Sequence, residues 1–569
     1  MSCVILAMAG AAIVLEHGKV LQIASATSQL RHSSLIRTCG SARMDQVLEA
    51  VLPFADTPPS WDDLRMRTLR TTTGERLHAE VKERAAGRGP PHIDANVRLF
   101  DARNAADVRV TLFRDAAGWC PFCQTLWLLL EEKRIPFRVC KINLNAYGHK
   151  PAWYLRRVDN GSLPAIELDG EMYVESLDLL RLIDDRFPHH GPRMHPPPAA
   201  DTERVAALLP FGQELTRDWL SLTFKPVNGE ALRHARRRLL ATLARLDAAF
   251  GLTSGPWALG TASPSALDLH YISRVERIVA SVLFWRGVRI RDGRFPNLDR
   301  WLSAFEERRA YIASKSDYYT LVSALPTQHG PAHSIPEARE PAAAICGMDG
   351  SWRLHEAYRE GSITRNGLAH TAKPLEPLAP LQAEGGEQAA RHEAAFALVA
   401  NHAAVARFAA RGVAPPGRPA VPAPLADPNA DLDVPNGMGV SAASLVGPVD
   451  VCLRYVVVAL LDGVDAAVPV SFAKAGLMTH GGRDDCLSPR PAPLRASEAD
   501  SGASGRRQAP AELSTLYPCT RGDDLSTCLV YLRDRVGVPR DMGQAAAMQL
   551  RAHLNWAIAL RGSRSFDGL

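Results

Sequence analysis

Cys120-Pro121-Phe122-Cys123 sets two thiols between a run rich in branched and aromatic residues, Val108 to Phe113, and a run with apolar residues at helical spacing, Gln124 to Lys133. A strand, a turn and a helix start are therefore the elements that must position them. A cysteine at a helix N-terminus faces unpaired backbone N–H groups and the positive end of the dipole, which favours its thiolate. Cys120 is the candidate nucleophile. Cys123, one turn further on, can resolve a mixed disulfide formed on Cys120, or fill the core as a small apolar residue. A CxxC pair can also hold zinc, but a structural site needs four ligands, and no second CxxC or suitably spaced His pair is present. No metal is expected.

The chain has 569 residues, enough for several domains. Its net charge is only +5, and the basic residues are dispersed apart from a cluster at Arg233 to Arg238, so no nucleic-acid partner is expected. Ten cysteines, sparse and irregularly spaced, fit a reducing compartment better than a disulfide framework. The longest apolar runs, Val4 to Leu15 and Tyr455 to Leu461, fall short of a membrane span, so a soluble protein without a membrane partner is expected. The first 44 residues hold one acid, Glu16, beside Lys19, Arg31, Arg37 and Arg43. That composition suits an organelle transit peptide, of chloroplast type, with a disordered tail or a secretory signal as alternatives and the cytoplasm as the other destination.

A mixed lead-in spans 45–95 and is broken by Gly87-Arg88-Gly89-Pro90-Pro91. The first compact domain is expected over 96–190. Phe137 to Ile142 reads as a second strand reached through the helix, a βαβ unit with parallel strands. Ala165 to Leu168 and Met172 to Val174 flank a turn at Asp169-Gly170 and read as an antiparallel hairpin, followed by a helix from Ser176, its cap, to Arg186. After a Pro-rich linker, 200–326 reads as all-α, with helices at 201–216, 230–250, 267–282 and 296–307 and a capping box at Ser265 to Asp268. The remainder, 327–569, mixes a helix at 387–411 and helical spacing at 526–561, broken at Pro539, with flexible stretches at 415–435 and 488–510.

Cys120-Pro121-Phe122-Cys123, then Ser162-Leu163-Pro164-Ala165, then Glu175-Ser176, followed by a helical domain, resembles the glutathione transferases. The nearest branch is the cysteine-type omega, lambda and dehydroascorbate-reductase group, which overlaps the glutaredoxins. The resemblance covers about 108–319 and implies an α/β thioredoxin-like domain followed by an all-α glutathione-transferase C-terminal domain, here with an extra, partly disordered helical extension. It implies glutathione as co-substrate. Pro164 matches the family's cis-proline, after which Leu163 would bond the cysteinyl part of glutathione through its backbone. Glu175 and Ser176 match the pair that holds the γ-glutamyl group at a helix start. Lys150 matches a lysine near the glycine carboxylate, and Asp268 a structural cap.

The electrophile site is expected between the domains over Cys120, with Trp119, Phe122, Trp153, Phe211 and Trp219 as walls. The implied activity is glutathione-dependent thiol transfer or reduction, acting on a small oxidant, dehydroascorbate or glutathionylated proteins. Conjugation of glutathione to electrophiles is the second enzymatic reading, and a non-catalytic interaction scaffold the third. Cys123 departs from single-cysteine relatives and favours reduction of disulfides over conjugation. Family members are often homodimers. The N-terminal lead-in and the C-terminal extension lie outside the family pattern.

Overall fold

The computed structural model describes residues 58–145, 149–195, 202–354, 375–413, 432, 441–467 and 524–562. The acid-poor segment 1–44 and the expected flexible stretches 488–510 and, but for Leu432, 415–435 lie outside the described residues.

Helices α1 (Trp61–Leu69) and α2 (Thr72–Ala85) each start on a side-chain cap, Ser60 accepting from the amide of Asp63 and Thr71 from that of Gly74. Five strands follow, β1 (Val97–Arg98), β2 (Val110–Asp115), β3 (Phe137–Ile142), β4 (Ala165–Leu168) and β5 (Glu171–Tyr173), in the sheet order β1-β3-β2-β4-β5. β2 and β3 are parallel, Val110 facing Phe137, because α3 (Pro121–Glu132) carries the chain across between them. β4 lies antiparallel to β2, and β5 to β4. Their two-residue turn has Asp169 at φ 54° and Gly170 at φ 92°, the left-handed pair that matches the twist of a tight hairpin. β1 is an edge strand on β3 that pattern reading misses, since two residues carry no alternation. Helices α4 (Ala152–Leu155) and α5 (Ser176–Arg186) complete a thioredoxin-like unit.

The helical part runs through α6 (Thr202–Leu208), α7 (Pro210–Thr223), α8 (Gly229–Phe250), α9 (Ala266–Arg286), α10 (Pro296–Glu306), α11 (Arg309–Ile312) and α12 (Tyr318–His329). The helix expected at 201–216 is two, because Pro210 has no amide hydrogen to continue the ladder. α9 is buried along its whole length. Asp268 in its first turn accepts from the amides of Ala258 (2.9 Å) and Ser265 (2.8 Å), from Ser265 Oγ (2.6 Å) and from Trp301 Nε1 (2.8 Å), the structural role expected of it. One hydrophobic core joins the sheet to these helices, with Leu126, Trp127 and Leu130 of α3 facing Ile272, Val275 and Val279 among its members.

Lys133, just after α3, pairs with Asp184 of α5 at 2.7 Å, both side chains fully buried. Asp184 also accepts from the amides of Met194 (3.1 Å) and His195 (2.8 Å), which ties the start of the Pro-rich linker to the sheet unit. Burial by itself would raise the Asp184 carboxyl, but the hydrogen bonds from His195, Lys133 and Met194 hold it well below the usual carboxylate range. A depressed folded pKa stabilises the fold fully above the unfolded value of about 3.9, and that contribution is lost as pH falls through the folded value. Urea unfolding of the full chain is therefore expected to show a steep loss of stability below about pH 4 that Asp184→Asn flattens. Equal acid slopes in the two proteins would contradict the assignment.

Beyond α12, α13 (Arg339–Ile345) packs back on α9, and α14 (Pro380–Ala383), α15 (Gly386–Ala410), α16 (Ala442–Asp462), α17 (Val464–Ala467), α18 (Asp524–Arg533) and α19 (Gln544–Gly562) follow. A second hydrophobic core, with Leu398, Phe408, Val456, Leu529 and Leu550, holds most of them together and includes Leu64 of α1. Trp61 Nε1 donates to Asp450 Oδ1 at 2.7 Å and Arg67 pairs with Asp462, so the lead-in is sewn to the extension rather than standing as a separate segment. α16 escapes sequence reading because Gly447-Pro448 looks like a breaker inside it. Its 21 residues are long and apolar enough to cross a membrane by length and composition, which corrects the shorter run expected there. It nonetheless packs against α15, α18 and α19 with over half of its most apolar window buried, as the core helix of a globular body does.

Candidate active site

β2 delivers the chain to the site, and α3 leaves from it. Cys120 is the N-cap of α3, in extended conformation (φ −73°, ψ 122°), with Pro121 at the first helical position, where a missing amide hydrogen costs nothing. The Cys120 thiol thus stands at the amide end of a twelve-residue helix. It is 5% exposed, and Cys123, one turn on, is 1% exposed. Burial pushes the Cys123 thiol well up, and the neighbouring Cys120 and the Asp115 carboxylate push it the same way.

Asp115 is the residue that sequence reasoning missed. It ends β2 fully buried, and it, Cys120 and Cys123 place their donor atoms within 4.8 Å of one another. Asp115 Oδ2 accepts the Trp119 amide at 2.7 Å, while its Oδ1 has no hydrogen-bond partner. The trio offers three donors, where a structural zinc site takes four. The available signal was an acid closing a strand just before a thiol pair.

Arg277 of α9 was also missed. Its Nη2 donates to the Trp119 carbonyl at 2.7 Å and its Nη1 to Gln124 Oε1 at 2.9 Å, so the helical unit grips the turn on both sides of Cys120. Gln124 reaches further to the Ser314 carbonyl at 3.3 Å, and Thr125 meets Ser273 Oγ at 3.0 Å. Arg277 shares the middle of its helix with Arg274 and Glu276, so the sequence marks a charged stretch there without showing which residue meets the turn.

The remaining expected residues come from the far side of the sheet unit. Leu163-Pro164 is cis and stands directly before β4, with Pro164 buried. The strand that follows lies beside β2. Glu175 has φ 70° and ψ 104°, a left-handed backbone that a non-glycine residue adopts only where its surroundings impose it. It, and not Ser176, is the N-cap of α5, and its carboxylate caps nothing, so the expected capping role of Ser176 is corrected: Ser176 is the first helical residue. Glu175 is exposed and Ser176 half-buried. Lys150 donates its Nζ to the Gly161 carbonyl, and burial lowers its pKa. It thereby fastens the loop that leads to the cis proline, as does Tyr154, whose hydroxyl donates to the Ser162 carbonyl at 2.5 Å.

The five aromatic side chains expected as walls of one pocket are scattered. Trp219 is buried in the helical core, donating to Ser281 Oγ at 2.7 Å. Phe211 is half-buried under Arg245, and Trp153 lies exposed against Phe113. Phe122 is exposed beneath the Arg274 guanidinium, 5.0 Å from its ring centre. Trp119 is buried beneath a turn of the C-terminal extension. Their spacing in sequence gave no register between α3, α7 and the loops, which is why a common wall could not be tested before the fold was known.

A thioredoxin-like sheet with a cysteine capping its crossover helix and a cis proline leading into β4, with an all-α unit packed on it, is the fold of the glutathione transferases. The family model described as "Glutathione S-transferase, N-terminal domain" matches residues 119–186. Protein IN2-1 of Zea mays is 31% identical over 231 residues, 40% of this chain and 84% of its own length. Glutathione S-transferase L3 of Arabidopsis thaliana is 28% identical over 205 residues, 35% of this chain and 79% of its own. Among solved structures, the glutathione transferase Omega 3C of Trametes versicolor is 25% identical, with a TM-score of 0.33 over 37% of this chain and 90% of that one. The chain belongs to the glutathione transferase superfamily, in its cysteine-type branch, and is an enzyme of that superfamily.

Proposed function

We propose that the protein is a glutathione-dependent thiol transferase, with Cys120 as nucleophile, that reduces glutathionylated thiols or a small oxidant such as dehydroascorbate. The observation that carries this reading is that Cys120 caps α3 just after β2, while the cis Leu163-Pro164 bond leads into β4, the strand paired with β2. The thiolate of Cys120 attacks the glutathionyl sulfur of a mixed disulfide; the substrate leaves as a thiolate that takes up a proton, and glutathione stays bonded to Cys120. A second glutathione thiolate then attacks that glutathionyl sulfur, releasing oxidised glutathione and restoring the Cys120 thiolate. In sum one free glutathione is consumed, and the mixed disulfide becomes the substrate thiol and oxidised glutathione.

Glutathione would lie along the edge set by Leu163, whose backbone pairs with its cysteinyl part, with its γ-glutamyl group at Glu175, Ser176 and the amide end of α5. Lys150 serves in this reading through the loop it fastens, since its ammonium is already bonded to Gly161. Cys123 is held protonated by burial, which favours resolution by glutathione over resolution by the second cysteine. Cys123→Ser is thus expected to keep deglutathionylation of a glutathione mixed disulfide within about threefold of wild type, since the thiolate of Cys120 and its helix amides are untouched. A loss of more than about a hundredfold would instead make Cys123 the obligatory resolving thiol. A panel of dehydroascorbate, a glutathione mixed disulfide and a model electrophile separates reduction from conjugation.

A further inference from the structure

The turn between α18 and α19, Asp534 to Asp541, belongs to the extension, yet it is fastened to the helical unit beside the thiol. Its anchors are all on one helix start. The Val538 amide donates to Thr320 Oγ1 at 3.1 Å, and the Tyr319 hydroxyl donates to the Asp534 carbonyl at 3.3 Å. Arg551 of α19 bridges both sides, pairing with Asp317 at 2.6 Å while donating to the Val536 carbonyl at 2.9 Å. What the turn presses on is Trp119, the residue before Cys120. The Arg540 guanidinium lies over the indole, 5.2 Å from the ring centre, held there by two bonds to Asp541 at 2.8 and 3.0 Å. Asp541 also accepts the Gly537 amide at 2.7 Å, and Gly537 comes so close that a Cβ there would meet Trp119 Cζ2 at 3.0 Å.

Trp119 is therefore held at three points: its amide by Asp115, its carbonyl by Arg277 and its ring face by the extension. We propose that the α18–α19 turn is part of the catalytic unit, with Gly537 and Arg540 acting as positioning residues that fix Trp119 and so the backbone presenting Cys120. The extension is then more than an appended body. Without its turn the buried indole would lose its cover, and the cap position of Cys120 at α3 would loosen; displacement by as little as 1 Å can cost about a hundredfold in rate. The proposal rests on the reading of Cys120 as the nucleophile but can be tested apart from any turnover.

The experiment measures alkylation of Cys120 by iodoacetamide in the full chain, in a Cys123→Ser background, with the modified peptide followed by mass spectrometry between pH 5 and 9. Arg540→Ala is expected to slow the reaction about tenfold across that range, because the thiol loses part of its fixed position at the start of α3. Gly537→Ala, which pushes on the indole with a single methyl, is expected to act in the same direction, and it keeps the test open should Arg540→Ala fail to fold. Arg237→Ala is the control: that guanidinium is exposed on α8, where it pairs with Glu230 at 2.7 Å, and its loss should leave the profile unchanged. Profiles that coincide in all variants, or an equal slowing with Arg237→Ala, would overturn the proposal. Loss of thiol transfer with unchanged alkylation would also overturn it, whereas transfer that survives Cys120→Ser would instead overturn the assignment of the nucleophile.

Discussion

Cys120→Ser is expected to lower glutathione-dependent thiol transfer by about 10³-fold or more, with retention on immobilised glutathione preserved. The size of the loss follows from chemistry. A serine hydroxyl at the same helix end is not ionised at neutral pH, and the second step has no sulfur to return. Retention should survive because the cis Leu163-Pro164 edge and the start of α5, from Glu175, lie on elements that Cys120 does not hold in place. The two measurements together distinguish the enzyme from a scaffold of the same fold. A non-catalytic scaffold would show no thiol transfer in either protein and would keep its partner binding on this substitution, without dependence on glutathione.

Arg551→Ala is expected to destabilise the docking of the extension by about 3 to 5 kcal/mol, the cost of leaving one member of a buried ion pair alone. Asp317, its partner, is buried at the N-cap of α12, where it also accepts the Thr320 amide at 2.9 Å. Burial opposes ionisation of that carboxyl, yet Arg551 and Thr320 hold it below its ordinary value. Removing the arginine strands the charge, and it also strips the guanidinium from the rings of Tyr319 and Trp352, 4.7 and 5.0 Å away. Limited proteolysis should then cut in the α18–α19 region at protease levels that leave the wild-type chain whole. A single cooperative unfolding transition with an unchanged midpoint would contradict this account of how the two bodies are joined.

Much of the sheet unit was legible because its signals are local. The strand before Cys120, the crossover helix, the Asp169-Gly170 turn and the Ser265–Asp268 box each announce themselves within about a dozen residues. The motif order did the rest, bringing Cys120, Leu163, Pro164, Glu175 and Ser176 into one expected site. What stayed hidden is what depends on contact across long separations. Asp115 and Arg277 matter through hydrogen bonds to Trp119, and nothing in the spacing of an aspartate and an arginine 162 positions apart ties both to one tryptophan. The union of α1 with the extension is of the same kind, since Trp61 finds Asp450 across 389 positions. Glu175 carries a subtler lesson: its left-handed backbone displaces the cap by one residue from Ser176, a shift that pattern cannot resolve because both residues are plausible helix starts.

The central claim, that glutathione passes through a disulfide on Cys120, is tested most directly by trapping it. Full-length Cys123→Ser protein is treated with a glutathione mixed disulfide, quenched in acid and mapped by mass spectrometry. The account predicts one glutathionyl adduct, on Cys120, which disappears when reduced glutathione is added. An adduct confined to Cys140, the half-buried thiol on the neighbouring strand β3, or none at all, would contradict it.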